Sequence, residues 1–112
     1  HKVILDSDLA KLYGVTTKAL NQAVKRNSDR FSSYFAFQIS TREKTEVVTN
    51  CDHLKSLRFS YVRPWAFTEH GALMVANVLN SPKAIKMSVA LVETFVQMRL
   101  AEIDNEDVRL LG

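Results

Sequence analysis

Apolar residues recur at helical spacing in two runs before residue 28, and a glycine separates them. Leu9, Ala10, Leu12 and Tyr13 form the first run, and Asp6, Ser7 or Asp8 stands where a side-chain oxygen can accept the orphan N–H groups of a helix start. Gly14 ends this helix, because glycine enters the left-handed conformation of a C-cap without a Cβ clash. Val15 plugs the corner, and Thr16 caps a second helix over residues 17–27. Only Gly14 to Thr16 join the two. So short a turn forces the helices together at a steep angle, the geometry of a helix-turn-helix.

The period then changes. After a polar connection from Ser28 to Tyr34, Phe35, Phe37 and Ile39 alternate with Ala36, Gln38 and Ser40, which predicts a half-buried strand. Ser40 and Glu43 form a capping-box pair for a third helix to about Asn50, with Val47 and Val48 inward. Cys51 to Ser60 is irregular and basic. It leads into a strand ending at Phe67, in which Pro64 lacks an N–H, so the strand is expected at a sheet edge or with a bulge. Val3 to Leu5 is β-prone and supplies another strand. Thr68 caps a helix over Glu69 to Leu79, with Leu73, Ala76 and Leu79 on one stripe. Asn80 ends it, and Ser81-Pro82 opens the longest helix, with proline where its missing N–H costs little. In that helix Ile85, Val89, Val92, Val96 and Arg99 share one face, and Ala84, Met87, Leu91, Phe95 and Met98 its neighbour. The apolar stripe is wider than packing on one core requires. These elements predict an α+β fold, winged-helix-like: a helix-turn-helix and further helices, five in all, around a small antiparallel sheet.

The second helix carries the candidate chemistry. At 100° per residue, Leu20, Ala23 and Val24 face one side with Asn27 beside them. Lys18, Gln22 and Lys25 point the other way, flanked by Asn21 and Arg26. Asn and Gln pair bidentately with adenine, and Lys or Arg with guanine or phosphate, so this face suits base edges in a groove. Taken alone, such a helix reads more simply as a solvated amphipathic one. The Leu-Ala, Gly-Val-Thr grammar in front of it tips the reading toward DNA, with Thr17 at the helix start. Arg30, Lys55, Arg58 and Arg63 are placed to meet phosphates, the last three on or beside a wing-like basic loop whose alternative is an ordinary surface loop. Phosphate contacts of this kind position a protein without reading sequence.

Charge sharpens that picture. The chain carries a formal charge of +3, but residues 1–63 hold eleven Lys/Arg against six Asp/Glu, net +5, and residues 64–112 four against six, net −2. The basic half coincides with the helix-turn-helix, where clustering is rewarded by release of counterions from a phosphate backbone. With 46% apolar residues in 112 the chain can bury the core of one domain. Its lone Cys51 makes no internal disulfide, and no apolar run spans a bilayer, so the expected setting is a reducing cytoplasm without membrane contact. The chain opens at His1 with no signal-peptide pattern and reads as a fragment of something longer. No enzyme is expected. His1, His53 and His70 are scattered, and Cys51 with His53 falls short of a zinc set, so neither metal nor cofactor is implied. Asp6 and Asp8 read as charges favoured by the dipole of a helix N-terminus, and no phosphate-binding glycine loop, nucleophile elbow or HExxH occurs.

The run VILDSDLAKLYGVTTKALNQAVKRNSDRF, FAFQIS after it and RPWAFTEHGALMVANVLNSPKAI later resemble the open-reading-frame-six N-terminal domain (ORF-six-N), a relative of the KilA-N and Bro-N domains of phage and bacterial proteins. The resemblance covers about residues 3–99, with the blocks in the family's order. Ser32 and Tyr34 depart from it, standing where the family shows a proline and an acid. Leu57-Arg58-Phe59-Ser60 lacks the glycines often found before the later block. The resemblance implies a double-stranded DNA-binding domain over residues 3–102 of a phage- or prophage-type, antirepressor-like regulatory protein in bacteria, with helix 17–27 in the major groove. Residues 103–112 then form an acidic tail or a linker to a missing C-terminal region. The competing expectation is a protein-interaction module that binds a repressor, or forms a homodimer, through the long helix 82–102.

Overall fold

A computed structural model describes residues 2–40 and 63–111, with side chains described as far as Ala101. The helix predicted from the Ser40 cap to about Asn50 falls, beyond Ser40 itself, outside the described residues, as does the wing-like loop over residues 51–60. Within them the fold is α+β: helices α1 (Asp6–Tyr13), α2 (Thr17–Arg26), α3 (Glu69–Leu79) and α4 (Pro82–Leu111), and strands β1 (Ile4–Leu5), β2 (Ala36–Gln38) and β3 (Trp65–Phe67). A single 3-10 turn, Ser28–Arg30, follows α2.

Local chemistry sets the helix ends. Gly14 takes φ 72°, ψ 31°, and its N–H donates back to the carbonyls of Ala10 and Lys11. The N–H of Val15 also reaches the Ala10 carbonyl at 3.0 Å, closing a glycine C-cap. Thr16 Oγ1 accepts the Ala19 N–H at 3.0 Å and starts α2. Thr68 Oγ1 accepts the Gly71 N–H and starts α3, Asn80 ends α3 in the left-handed region at φ 48°, and Ser81 Oγ accepts the Ala84 N–H at the head of α4. The first helix departs from expectation. Leu5 occupies its N-cap with no side-chain cap, and Asp6 is already inside the helix, accepting the N–H of Ser7.

The sheet is antiparallel in the order β1, β3, β2. The strand that follows Pro64 is therefore central, not at an edge as its proline suggested. Pro64 stands just before Trp65, ahead of the paired residues, and contributes only its carbonyl, which accepts the N–H of Ile39 at 3.0 Å. Both faces of the sheet are covered. Ile4, Ala36 and Phe67 join the main core of Leu9, Ala10, Tyr13, Leu20, Ala72, Val75, Ala76 and Ala84, whereas Leu5, Phe37, Ile39 and Ala66 form a second cluster on the other face. The one-sided alternation expected over Phe35 to Ile39 thus gives way to burial on both faces, Ala36 of β2 on one and Ile39, just beyond β2, on the other.

α2 is held against α1 and α3, which brings the helix-turn-helix onto the main core. Tyr13, fully buried, donates its hydroxyl to the Ala72 carbonyl at 2.8 Å and ties α1 to α3. Gly71 allows α3 to run hard against the backbone just ahead of β2: a Cβ there would lie 1.8 Å from the Phe35 carbonyl oxygen. The buried face of α3 is Gly71, Ala72, Val75 and Ala76, shifted from the predicted stripe, so Leu73 is only half-buried. α3 and α4 form a helical hairpin, closed at its open end by Arg99, which is ion-paired with Glu69. α4 runs past the predicted end at Glu102 to Leu111, because a stretch of acids without glycine or proline has nothing to stop a helix.

Candidate nucleic-acid interface

Leu20 is fully buried beneath α2 with Ala23 and Val24 half-buried beside it, so the helix is oriented as its apolar stripe dictates. The opposite face carries Lys18, Gln22, Lys25 and Arg26, all exposed. Thr17 is half-buried at the helix start. Lys25 and Arg26 occupy the last turn of α2, where cations are favoured by the helix dipole. The result is a short rigid rod with a cationic and amide-bearing outer surface.

Asn21 sits differently from its neighbours. Its Nδ2 donates to Asp6 Oδ2 at 3.0 Å, and the same carboxylate oxygen accepts the Trp65 N–H at 3.4 Å, while Asp6 Oδ1 accepts the N–H of Ser7 at 2.8 Å. Asp6 is only 5% exposed. A carboxylate buried to that extent needs several donors to offset its lost hydration, and here they come from α1, α2 and β3. Asp6 is thus both an acid in the first turn of α1 and the knot that fixes the angle of α2 against the sheet. The side-chain amide of Asn21 is committed to that knot, which leaves Gln22 as the exposed amide of α2. Sequence reasoning missed this arrangement, since its partners lie 15 and 59 residues apart along the chain.

Trp65 is a further residue that the sequence did not single out. The residue, 38% exposed, flanks α2 across a groove of about 140 Å³ lined by Asn21, Val24, Lys25, Ser28, Phe31 and Trp65. Phe31 at the floor packs edge-on against Phe67 of the core, with ring centroids 6.2 Å apart. An apolar floor beside a lysine can receive a sugar ring or a thymine methyl next to a phosphate.

The other predicted cations are spread out. Arg63 is exposed at the head of β3 and locked to β2: its Nη2 donates to Gln38 Oε1 at 3.3 Å, and its carbonyl accepts from Gln38 Nε2 at 3.0 Å. Arg30 turns toward α3, where its Nη1 donates to Asn77 Oδ1 at 2.9 Å. It borders a separate open groove with Phe35, His70, Leu73, Met74 and Asn77. Lys55 and Arg58 lie outside the described residues. Among the described residues no group of three or more His, Cys, Asp or Glu is placed to hold a metal ion, and no helix is long and apolar enough to cross a membrane.

No curated relative and no solved structure matches the chain. The family model of the ORF6N domain, a domain of phage and bacterial proteins, matches residues 1–78, from ahead of β1 to the last turn of α3, with α4 beyond the match. With the greater part of its length so matched, the chain belongs to the ORF6N domain family.

Proposed function

We propose that the chain is a double-stranded DNA-binding domain of a phage- or prophage-type, antirepressor-like regulatory protein, acting in a bacterial cytoplasm without catalysis, and that α2 enters the major groove. The observation that carries this reading is the outer face of α2: Lys18, Gln22, Lys25 and Arg26 are all exposed on a helix whose opposite side is anchored by the buried Leu20. Those side chains have the donors for phosphates and base edges, and the short Gly14 to Thr16 turn and the buried Leu20 fix the helix with that face outward. Trp65 flanks α2 from β3, and Arg63, exposed just ahead of that strand, is a further cation for phosphate contacts that position the helix without reading sequence. Asn21 acts in this reading through Asp6, setting the tilt of α2, and Gln22 is left as the amide that reads adenine.

The test is duplex binding by the parent and by a Lys18→Ala, Gln22→Ala, Lys25→Ala, Arg26→Ala variant, with circular dichroism to verify that both are folded. The variant is expected to lose at least about tenfold in affinity, because three phosphate-directed cations disappear together. Equal binding by a folded variant refutes the assignment of α2. A second reading, an interaction module that binds a repressor, draws on exposed aliphatic residues of α4 rather than on α2. It predicts no duplex binding by the parent.

A further inference from the structure

α4 has an apolar stripe that its own domain covers only in part, leaving Ile85 and Val89 exposed. The buried side of the helix runs through Ala84, Ser88 and Phe95, with Met87 and Leu91 half-buried against the same core. At 100° per residue, a second stripe lies about 100° around the helix: Ile85, Val89, Val92 and Val96, spaced by four and three residues, with Leu100 beside its continuation. Ile85 is 50% exposed, Val89 58% and Leu100 48%, while Val92 and Val96 are half-buried. A four-three repeat of aliphatic residues is the seam by which one helix packs on another, and Ile103 continues it in the sequence. The helix is also long, 30 residues or about 45 Å at 1.5 Å per residue, against a longest molecular dimension of 48 Å. Its pairing with α3 reaches Arg99, and Leu100 and Ala101 beyond it are exposed.

The charges along α4 say what lies on this seam. Residues 82–92 contain Lys83 and Lys86 and no acid, net +2. Glu93, exposed, stands seven residues after Lys86 and so at the same position of the four-three repeat, flanking the stripe. Two copies laid antiparallel with Ile85 opposite Val96 bring Lys86 of each helix beside Glu93 of the other and oppose the helix dipoles, whereas parallel copies align them. We propose that α4 is a self-association surface, on which a second copy of the chain packs its own α4 antiparallel along the stripe of Ile85, Val89, Val92 and Val96. Such an interface is isologous and closed, giving a dimer rather than a filament. The inference is independent of the DNA reading, since it uses neither α2 nor any group that faces it.

Sedimentation equilibrium of the whole chain without DNA tests it. The parent is expected to be a dimer at tens of micromolar or below, a modest affinity for an interface of this kind. Val89→Glu is exposed enough to fold and should weaken dimerisation at least about 30-fold, since it sets a charge in the seam of each copy. Lys86→Glu leaves the seam intact and reverses the charge at its basic end. It should weaken an antiparallel dimer on the order of 5-fold, in proportion to the lost exposed ion pairs, and lose that effect in high salt. A parent that stays monomeric up to about 100 μM overturns the proposal. A dimer indifferent to Val89→Glu overturns the surface, and one indifferent to Lys86→Glu overturns the antiparallel arrangement.

Discussion

α2 and α4 are both amphipathic helices with more exposed face than the core requires, yet they spend it on opposite chemistries. α2 turns Lys18, Gln22, Lys25 and Arg26 outward, and α4 turns out Ile85 and Val89. A cationic face gains little from another protein helix and much from a polyanion, whose condensed counterions it displaces. An aliphatic face gains nothing from a polyanion and much from a matching aliphatic seam. The two helices also differ in how they are held. α2 is fixed at its start by Thr16, at its middle by Asn21 on Asp6 and beneath by Leu20, so that its outer groups are presented at a set angle. α4 is held along one side by α1 and α3.

The contrast is sharpest where the same truncation is made on each helix. Leu20→Ala empties a fully buried site in the main core and should cost about 2–5 kcal/mol of stability in urea unfolding. Val89→Ala, made at concentrations where the chain is monomeric, should change stability by no more than about 0.5 kcal/mol. Similar losses from both would mean that the outer stripe of α4 belongs to the core after all.

A smaller effect probes the scaffold under α2 alone. Tyr13 is buried between α1 and α3, and burial pushes its hydroxyl from 10.0 up to about 12. The unfolded chain releases that proton near pH 10 and the native chain only near pH 12, so the native state binds more protons between those values. Stability should be present in full below pH 10 and fall as pH rises toward 12, by up to about 1.4 kcal/mol per pH unit from this group. Urea unfolding across that window in the parent and in Tyr13→Phe checks it, because the variant should lack that component of the alkaline loss. An equal loss in both would show that the Tyr13 hydroxyl plays no part.

Helix boundaries were legible because they depend on neighbours in the chain. Gly14, Thr16, Thr68, Asn80 and Ser81 each act within a few residues, and each does what its chemistry implies. The candidate interface was legible in the same degree: the outward face of α2 follows from its period. What the period could not reveal is which groups meet across the fold. The Pro64 strand takes the middle of the sheet, since a proline ahead of the paired residues leaves the ladder intact. The Asp6 knot drew Asn21 out of the set of free amides and brought Trp65 beside Lys25. Gly71 is the point where α3 meets the Phe35 backbone just ahead of β2. Each of these depends on residues tens of positions apart, for which local pattern has no signal.

The central claim is that α2 meets the phosphate backbone of duplex DNA, and the salt dependence of binding tests it most directly. If Lys18, Lys25 and Arg26 each neutralise a phosphate, the logarithm of the binding constant should fall against the logarithm of salt concentration with a slope of about −3 from this helix alone. Lys25→Ala should make that slope shallower by about 1. A slope near zero, or one that Lys25→Ala leaves unchanged, would contradict the account.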